Sequence, residues 1–474
     1  MNFSLLLPEW IALGTLLILI FREILNGPKS RNSSGIAILL TGTALLLLSL
    51  FFLRNSPGSA FGGTFVLDSF AVFFKIFFSL AAFVVLVSSR FFFRPLGGEK
   101  TAEFFLILWC ALLGMLFLVS ANDFLILFIA LEIMTLSFYI LTAYQKGNLA
   151  SIEAGVKYLI LGSLASAFII YGIGLLYVVA GSTHFDSIQA AFAAQPGHKL
   201  LLLSALLILS GLCFKVAAVP FQLWAPDVYE GAPVPVVAFL SVGSKAAGFA
   251  LLIRLIFTVF TPFDHERKIL FPVLAAMTII YGNLGAVVQK NIKRLLGFSS
   301  IAHTGYLLIG LAAARDSGLA ALLYYLLTYA LANLAIFFVL SLTANELKSD
   351  QIDAFRGLAE RSPFLAASLF IALLSLAGVP PLAGFVGKFL ILSAAIRDHL
   401  MWLALIGILA IPISLYYYLG VIRSMYLEEP VHTASITVPG SAKLILGLLI
   451  TGILLAGFFQ SPVFRIVENA LQHF

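Results

Sequence analysis

The sequence predicts an all-α polytopic membrane protein with about fourteen transmembrane helices, and two observations support that prediction. Aliphatic, aromatic and cysteine residues make up 61% of the 474 positions, whereas charged residues make up 11%, well below the quarter or so that is usual in soluble domains. The apolar residues are gathered in runs of about twenty, which is the length of a helix that crosses a bilayer. They do not alternate with polar residues, as the strands of a membrane barrel would.

The predicted spans cover most of the chain and leave only short connections between them. No connection is long enough to hold a soluble domain, so the lipid bilayer is the expected environment. The first span lacks a basic leader and a small-residue cleavage site, which predicts a retained helix. The spans lie near 5–21, 35–53, 65–89, 104–120, 124–144, 155–180, 200–228, 233–260, 270–289, 295–313, 318–343, 363–396, 401–422 and 444–460.

Basic residues are divided unevenly between the two sets of loops. Fifteen of the 28 lysines and arginines lie in the odd-numbered loops, and seven lie in the even-numbered loops and the tails. Because basic loops stay in the cytoplasm, this bias predicts that both termini lie on the opposite side, which is the periplasm in a bacterium. The net charge of +6 is dispersed over these loops and does not indicate binding to nucleic acid.

Two of the predicted spans are interrupted by proline. Span seven is broken at Pro220 and span twelve at Pro380 and Pro381, 160 positions further along, and each break has a lysine nearby, Lys215 and Lys388. Interrupted helices at matching positions in two halves are typical of the ion sites of transporters. Proline is also common in membrane helices in general, so the match by itself leaves a simple packing role open.

The two breaks predict an internal repeat. We expect two antiporter-like units of five helices each, covering 99–262 and 263–425, and an odd number of helices makes the second unit inverted relative to the first. A unit of three helices at 1–98 would precede them, and a single helix at 426–474 would follow.

Hydropathy does not explain seven of the ionisable residues inside the predicted spans. Each costs roughly 2.5–3.5 kcal/mol at the centre of a bilayer, so most of them must be paired, hydrated or close to a surface. Two of them lie away from the middle of their spans, where a long side chain is able to reach the headgroups, and we expect a structural role for both. These two are Lys75 and Arg254, and the other five are Glu132, Lys157, Lys215, Lys245 and Lys388.

Glu132 lies too deep in its span to reach a headgroup, and Lys215 is similarly deep. We expect the two to face each other across neighbouring helices. A static ion pair is one interpretation of that arrangement. The other is a proton-switching site, because Lys245 is equally deep and has no obvious carboxylate of its own. Burial and a neighbouring ammonium favour a neutral lysine, while Glu132 favours a charged one.

Three further residues are candidates with an alternative beside each. Lys157 follows Glu153 by four positions, which is typical of a surface ion pair, but it is also a candidate entry step for protons. His303 lies in the middle of a span and serves either as a structural group or as a proton relay. Lys388 follows a glycine-rich break whose freed carbonyl groups need water or side-chain donors.

The chain lacks the sequence motifs of the common redox and nucleotide sites. It has no phosphate-binding loop and no complete dinucleotide-binding motif after a strand. Its two cysteines stand apart, with no spacing that would ligate an iron–sulfur cluster. Any electron chemistry is therefore expected in other chains.

Four segments of the sequence resemble a known family. They are FKVAAVPFQLWAPDVYEGAPVPVVAFLSVGSKAAGFALLIRL at 214–255, LEIMTLSFYIL at 131–141, NIKRLLGFSSIAHTGYLLIG at 291–310 and AGVPPLAGFVGKF at 377–389. Together they resemble the antiporter-like subunits of respiratory complex I, above all the N-subunit family of the bacterial NADH–quinone oxidoreductase. The resemblance extends over essentially the whole chain.

The resemblance implies roles for the buried charges. Glu132 and Lys215 correspond to the switching pair, Lys245 to the central relay, and Lys388 to the terminal residue on the periplasmic side. Lys157 matches a further lysine of the family on span six. The chain departs from the family at Gln222, where relatives often have histidine; since glutamine does not titrate, a relay step at this position is in doubt.

The resemblance also implies cofactors and partners. The chain itself would bind no cofactor, whereas FMN, iron–sulfur clusters and quinone would belong to the assembled complex, and the partners would be adjacent antiporter-like and small helical subunits. Two other functions remain open from the sequence. One is a cation/proton antiporter subunit of a multisubunit exchanger, and the other is a structural scaffold of the membrane arm.

Overall fold

The computed structural model describes residues 3–26, 32–93, 101–195, 197–313, 315–430 and 434–472. Four of the basic residues used to predict orientation, Lys29, Arg31, Arg94 and Lys100, lie outside these ranges. Almost all of the described chain is helical. The helices are α1 (Leu7–Asn26), α2 (Asn32–Leu53), α3 (Ser69–Phe93), α4 (Thr101–Ser120), α5 (Phe124–Thr142), α6 (Leu149–Ala180), α7 (Phe185–Ala194), α8 (Lys199–Val216), α9 (Trp224–Gly231), α10 (Val234–Phe239), α11 (Lys245–Arg254), α12 (Asp264–Val287), α13 (Ile292–Ala312), α14 (Arg315–Leu347), α15 (Leu358–Arg361), α16 (Pro363–Ala377), α17 (Ala383–Arg397), α18 (Met401–Leu427), α19 (Gly440–Phe458) and α20 (Gln460–Leu471).

The described helices confirm the predicted membrane fold. Thirteen of them, counting 234–259 as one, are long and apolar enough to cross a bilayer. The predicted twelfth span is divided between α16 and α17, each of fifteen residues, and neither half is long enough to count alone. With this divided span the number of crossings is the predicted fourteen. The division into two inverted repeats remains a prediction.

Three small elements were not predicted. A short antiparallel hairpin pairs β1 (Gly58–Ala60) with β2 (Phe65–Leu67) just before α3. The short helix α7 lies between α6 and α8. The last helix, α20, packs against α3 and α14, with Val467 and Ala470 buried on its inner side. These elements are too short to produce an apolar run of membrane length, so hydropathy misses them.

The two broken spans end their first halves in the same way. α8 ends at Val216, and Ala217 adopts a left-handed conformation with φ of 58°. α16 ends at Ala377, and Gly378 adopts the same conformation with φ of 88°. In each case the next backbone N–H donates to a carbonyl five residues earlier, at 2.9 Å in the first break and 3.1 Å in the second. This is a common way of closing a helix at its carboxyl end.

The equivalent positions of the two breaks are therefore 161 residues apart, not 160 as the prolines alone suggested. The offset that aligns Ala217 with Gly378 also aligns Pro220 with Pro381. Both of these prolines follow a cis peptide bond, from Val219 and Pro380 respectively.

The polar residues of interest lie in the most buried part of the molecule. Every residue of α10 and α11 is buried, and so is every residue of α13 except Arg294. A π-helical segment, 240–244, joins α10 to α11 and ends immediately before Lys245. Local widening of this kind is common at functional sites. Helix α14 packs against α10 and α13, and α13 and α14 supply most of the hydroxyl groups described next.

Candidate functional site

Glu132 and Lys215 are linked through a serine rather than by direct contact. Ser166, on α6, donates its hydroxyl hydrogen to Glu132 Oε1 at 2.6 Å. Lys215 Nζ lies 3.4 Å from the same hydroxyl oxygen. The acid on α5 and the amine on α8 thus both lie against α6, which packs between their helices. No ion pair within 4.0 Å joins their charged atoms among the described residues.

The hydrogen bond at the Glu132 end of this link is shorter than the contacts at the Lys215 end. The bond to the carboxylate is short, whereas both contacts of the ammonium are long, since Lys215 Nζ also lies 3.4 Å from the Tyr139 hydroxyl. Distances of this length lie beyond the usual range of strong hydrogen bonds. Gly162 leaves the room that the Tyr139 hydroxyl occupies. Lys215 is buried but loosely held, so a small displacement would change its interaction with Glu132 considerably.

Within the described part of the chain, the hydrogen bonds of the Lys245 ammonium all go to neutral oxygen atoms. Its Nζ donates to the backbone oxygen and the hydroxyl of Ser300, both at 2.6 Å, and to Thr304 Oγ1 at 2.8 Å. Thr304 in turn donates to the carbonyl of Val216 at 2.7 Å. That carbonyl belongs to the end of α8, one residue after Lys215. The second buried lysine is therefore connected to the first through a threonine and a freed helix-end carbonyl.

His303 lies one turn from these groups, inside a cluster of tyrosines. Its Nδ1 shares a hydrogen bond of 2.5 Å with the hydroxyl of Tyr325, and its Nε2 lies 3.3 Å from the hydroxyl of Tyr418. Tyr418 is also hydrogen-bonded to Ser299. Both ring nitrogens of the histidine thus face groups able to donate or accept a proton. This geometry fits a relay, and it fits a satisfied structural histidine equally well.

Lys388 follows the second break, and its side chain points back towards the end of α16. Its Nζ donates to the carbonyl of Ala377 at 2.9 Å, the last residue of α16. The ammonium also lies 5.0 Å from the centre of the Tyr306 ring. The prediction that freed carbonyls at this break need a donor is met by the lysine itself. Among the described residues no hydrogen bond joins Lys388 directly to His303 or Lys245.

Lys157 belongs to a separate, solvent-accessible network. Its Nζ pairs with Glu153 at 2.7 Å and with Asp227 at 2.8 Å, and its side chain is 45% exposed. Asp227 also pairs with Arg294, which reaches Glu230. Burial tends to raise the pKa of Asp227, but the bonds from Lys157 and Arg294 outweigh it and lower that pKa. The predicted pair with Glu153 is present, as one arm of a larger network.

Lys75 and Arg254 do not extend to the membrane surface. Lys75 is fully buried and pairs with Glu9 at 2.5 Å. Arg254 forms two bonds to Asp68, at 2.9 and 3.0 Å. The predicted snorkelling of these two side chains is therefore wrong. The carboxylates that pair with them lie on α1 (Glu9) and immediately before α3 (Asp68), and pattern reading did not connect these positions with Lys75 on α3 or Arg254 on α11.

Gln222 lies inside the first break, between α8 and α9. Its side chain is buried, and its Oε1 has no hydrogen-bond partner within the described part of the chain. Pro220, two residues earlier, is the residue at which the sequence predicted the helix to open. Among the described residues no hydrogen bond joins Gln222 to a buried lysine, so no relay step is assigned to it.

Sequence reasoning missed most of the hydroxyl groups that link the charges. Ser300 and Thr304 are four residues apart on α13, the spacing that places two side chains on one face. That spacing was the available signal. Ser166 carried no such signal, because a single serine on a long apolar helix usually bonds its own backbone.

The chain was compared with known proteins. Residues 121–414 match the family model described as NADH:quinone oxidoreductase/Mrp antiporter, TM. NADH-quinone oxidoreductase subunit N of Moorella thermoacetica is 42% identical over 440 residues, covering 92% of each chain. The subunit N of Desulforamulus reducens is 38% identical over 446 residues, covering 94% of this chain and 93% of the relative. NAD(P)H-quinone oxidoreductase subunit 2 of Nostoc sp. is 39% identical and covers 99% of this chain and 93% of the relative.

Solved structures give the same result. A chain of respiratory complex I from Thermus thermophilus with bound Aureothin superimposes with a TM-score of 0.82 at 33% identity, covering 98% of this chain and 99% of that one. A chain of the Mrp complex from Dietzia sp. superimposes with a TM-score of 0.88 over 99% of this chain and 97% of that one, but at 20% identity it shows the fold alone. The chain therefore belongs to the NADH:quinone oxidoreductase/Mrp antiporter family, and along its whole length it is similar to subunit N of bacterial NADH-quinone oxidoreductases.

Proposed function

We propose that this chain is a proton-translocating membrane-arm subunit of a bacterial NADH–quinone oxidoreductase. The observation that carries the proposal is the set of buried lysines on α8, α11 and α17, each held by oxygen atoms rather than by a tight ion pair. A structural cation at this depth would be expected to have a close carboxylate, as Lys75 and Arg254 have. The whole-length similarity to subunit N supports the same conclusion.

The redox chemistry belongs to partner subunits in this proposal. FMN, iron–sulfur clusters and quinone would lie there, and the adjacent antiporter-like and small helical subunits would transmit the coupling to this chain. A change in a neighbouring subunit would act on α5, whose outer face is apolar and exposed at Ile129, Leu136 and Ile140. Glu132 lies on the same helix and is half-buried.

The switching step follows from the geometry around Ser166. Two unit charges about 4 Å apart interact by about 4 kcal/mol at the effective dielectric constant of a protein. Moving one charge across 100 mV requires about 2.3 kcal/mol. Bringing Glu132 from about 9 Å to about 4 Å from Lys215 therefore changes the hold on the lysine proton by about 2.3 kcal/mol, which is the energy that transfer requires. Ser166 contacts both groups and would have to release one of them as their separation changes.

The later steps are assigned by position. Lys245 would receive the proton near Ser300 and Thr304, and Lys388 would pass it to the periplasm. His303 and its tyrosines would connect these two lysines, with water completing the path. Lys157 is the proposed entry residue, because it is the accessible lysine closest in sequence to Ser166 on α6.

The orientation belongs to the same proposal. The chain would lie in the bacterial inner membrane with both termini in the periplasm, as the distribution of basic loops predicts. Fusing a periplasm-active reporter enzyme to either terminus would test this. Activity at both termini is expected, and activity of a cytoplasm-specific reporter there would refute it.

The function is tested by Glu132→Ala and Lys215→Ala in the assembled complex. With assembly and NADH oxidation by the partner arm verified, proton uptake into membrane vesicles should fall strongly in both variants. Normal pumping with either substitution would contradict the mechanism. Neutralising Lys245 and Lys388 together separates relay from scaffold, since a scaffold would keep normal coupling without them.

A second candidate is a cation/proton antiporter subunit, which the family description and the fold of the Mrp chain favour. Purification with the native partners distinguishes the two. Partners that carry flavin and iron–sulfur clusters support the oxidoreductase, whereas small membrane subunits alone support the exchanger.

A further inference from the structure

A long apolar groove lies between α3, α14 and α19, and α20 borders its mouth. Its volume is about 1580 Å³, which exceeds the roughly 300–1,000 Å³ of sites for small ligands. Aliphatic and aromatic side chains form the walls, among them Leu80, Leu331 and Leu448. The described residues that line the groove include none of the hydroxyl residues that bond Glu132, Lys215 and Lys245, and the proposed function makes no use of it.

The mouth of the groove has a different chemistry from its walls. Arg54, Asn55, Asn469 and Gln472 line it, and the Arg54 guanidinium lies 4.4 Å from the centre of the Phe51 ring. No aspartate or glutamate is present among the described residues that line the groove. One cation and three amides without a carboxylate form a surface that suits a phosphate group.

The depth of the groove fits the hydrocarbon of a bilayer. The lining residues of α3 run from Ser69, beside the polar mouth, to Val84. At 1.5 Å per residue these positions are separated by about 22 Å. One leaflet of hydrocarbon is about 15 Å deep, half of the usual core. The groove therefore accommodates extended acyl chains that begin at the mouth and pass the middle of the membrane.

We propose that this groove binds one anionic phospholipid, with its phosphate at Arg54 and its acyl chains between α3, α14 and α19. The inner wall includes Val242 and Thr328. Val242 belongs to the π-helical segment before Lys245, and Thr328 precedes Tyr329, whose hydroxyl donates to Ser300 at 3.1 Å. The acyl chains thus pack against the reverse side of the segments that position Lys245. This assignment stands whether or not the chain translocates protons.

The apolar part of the site is tested by photolabelling the assembled complex. The complex is reconstituted in phosphatidylcholine vesicles that contain phosphatidylglycerol with a photoactivatable acyl chain, and labelled peptides are mapped by mass spectrometry. Labels are expected on the groove faces of α3, α14 and α19. Gly452 lines the groove, and a Cβ there would meet Leu331 at an ordinary 3.4 Å, so Gly452→Leu should fill the space and remove the labels. Gly447→Leu, on the same helix but outside the groove, is the control and should leave them.

The headgroup is tested by Arg54→Gln. An arginine near a membrane surface contributes about 1 kcal/mol towards an anionic lipid, so labelling by the phosphatidylglycerol probe should fall about fivefold. Arg397→Gln, an exposed arginine at the end of α17, should leave it unchanged. Equal labelling by a phosphatidylcholine probe would overturn the proposal, and so would labels that persist in the Gly452→Leu variant. The proposal would also be overturned if a photoreactive residue placed at position 448 crosslinked to a neighbouring subunit instead of to lipid.

Discussion

The two broken helices have the same backbone geometry at the break, but each holds its lysine in a different way. Lys215 comes before its break, in the last turn of α8, and its ammonium faces Tyr139 and Ser166 on neighbouring helices. Lys388 comes after its break, in α17, and its ammonium turns back to the last carbonyl of α16. Lys388 lies where the carboxyl end of a half-helix directs its carbonyls, a position that stabilises a cation. The described contacts of the Lys215 ammonium are instead with side-chain hydroxyls on other helices.

The offset of 161 residues shows how different the side chains are. The position equivalent to Lys215 in the second break is Leu376, and the position equivalent to Lys388 in the first is Asp227. Asp227 is bound to Lys157 and Arg294. The two breaks share the backbone that ends a helix, but their lysines lie on opposite sides of the break. Among the described residues, Lys388 bonds a carbonyl of that helix end, whereas Lys215 bonds hydroxyls of other helices.

This difference gives the two lysines different roles in proton transfer. Lys215 lies within reach of Glu132 through one serine, so an acid on another helix governs it. Lys388 is held by a carbonyl that has no charge to change, and the structure gives it no acidic partner among the described residues. We infer that the first break is where coupling energy enters, and that the second keeps a cation site ready for the proton that arrives.

The largest effect is expected from moving the second lysine to the first lysine's position. Lys388→Leu removes the donor of the Ala377 carbonyl, and leaving a buried polar group unpaired costs about 1–3 kcal/mol. Proton pumping per NADH oxidised should fall by about tenfold or more. The double variant Leu376→Lys with Lys388→Leu returns an ammonium to the same helix end, and it should recover part of the loss.

Pumping is measured with a pH-sensitive dye in vesicles, at matched amounts of assembled complex. Lys443→Leu, an exposed lysine at the start of α19, is the control for removing a positive charge. If the double variant pumps no better than Lys388→Leu alone, the helix-end site is not interchangeable and the two breaks are not equivalent.

A smaller effect is expected from Ser166→Ala, which affects the first break alone. The variant removes the hydroxyl between Glu132 and Lys215, and a hydrogen bond to a charged group contributes about 1.5–3 kcal/mol. The pumping rate should fall about tenfold. Ser163→Ala is the matched control, because Ser163 lies one turn away on α6 and bonds only its own helix at Leu159. Equal rates in the two variants would remove the serine link from the mechanism.

A still smaller effect on pumping is expected from Tyr325→Phe, which removes the hydrogen-bond partner of His303 Nδ1 but removes no charge. If the histidine carries protons between the breaks, pumping should fall about fivefold, as the loss of one neutral hydrogen bond of about 1 kcal/mol predicts. Tyr324→Phe, the neighbouring residue, breaks a bond to the carbonyl of Ala456 instead and should leave pumping unchanged. A normal rate in Tyr325→Phe would favour the structural role of His303.

The membrane fold was readable from the sequence because hydropathy and helix length are local properties. The deep charges were readable for the same reason. The fold links Glu132 to Lys215 through Ser166, and it links Lys245 through Thr304 to the end of α8. The residue that joins Glu132 to Lys215 could not be predicted from the sequence. Ser166 lies 34 positions from Glu132 and 49 from Lys215, and pattern reading contains no distance between helices.

The same limit explains the error at Lys75 and Arg254. Their depth in the span suggested reach to the surface, whereas their carboxylate partners lie in segments remote in sequence. Asp68 is 186 positions from Arg254. Such pairs are fixed by tertiary packing alone. The register of the breaks was also one residue off, because it was taken from the prolines and not from the left-handed residues that end α8 and α16.

The smallest effect is expected at those two left-handed residues, and there the two breaks should respond to different extents. In Gly378→Ala the new Cβ would lie 2.9 Å from Lys388 Cδ, and a left-handed conformation costs a non-glycine residue about 1–2 kcal/mol. Ala217→Gly relieves the same conformational cost and loses some of it to the greater freedom of the unfolded chain. Heating membranes and measuring the detergent-soluble chain that remains should therefore show a lower midpoint for Gly378→Ala and little change for Ala217→Gly. If both variants lower the midpoint equally, the Ala217 methyl group contributes packing that the comparison of the two breaks overlooks, and their equivalence is limited to the backbone.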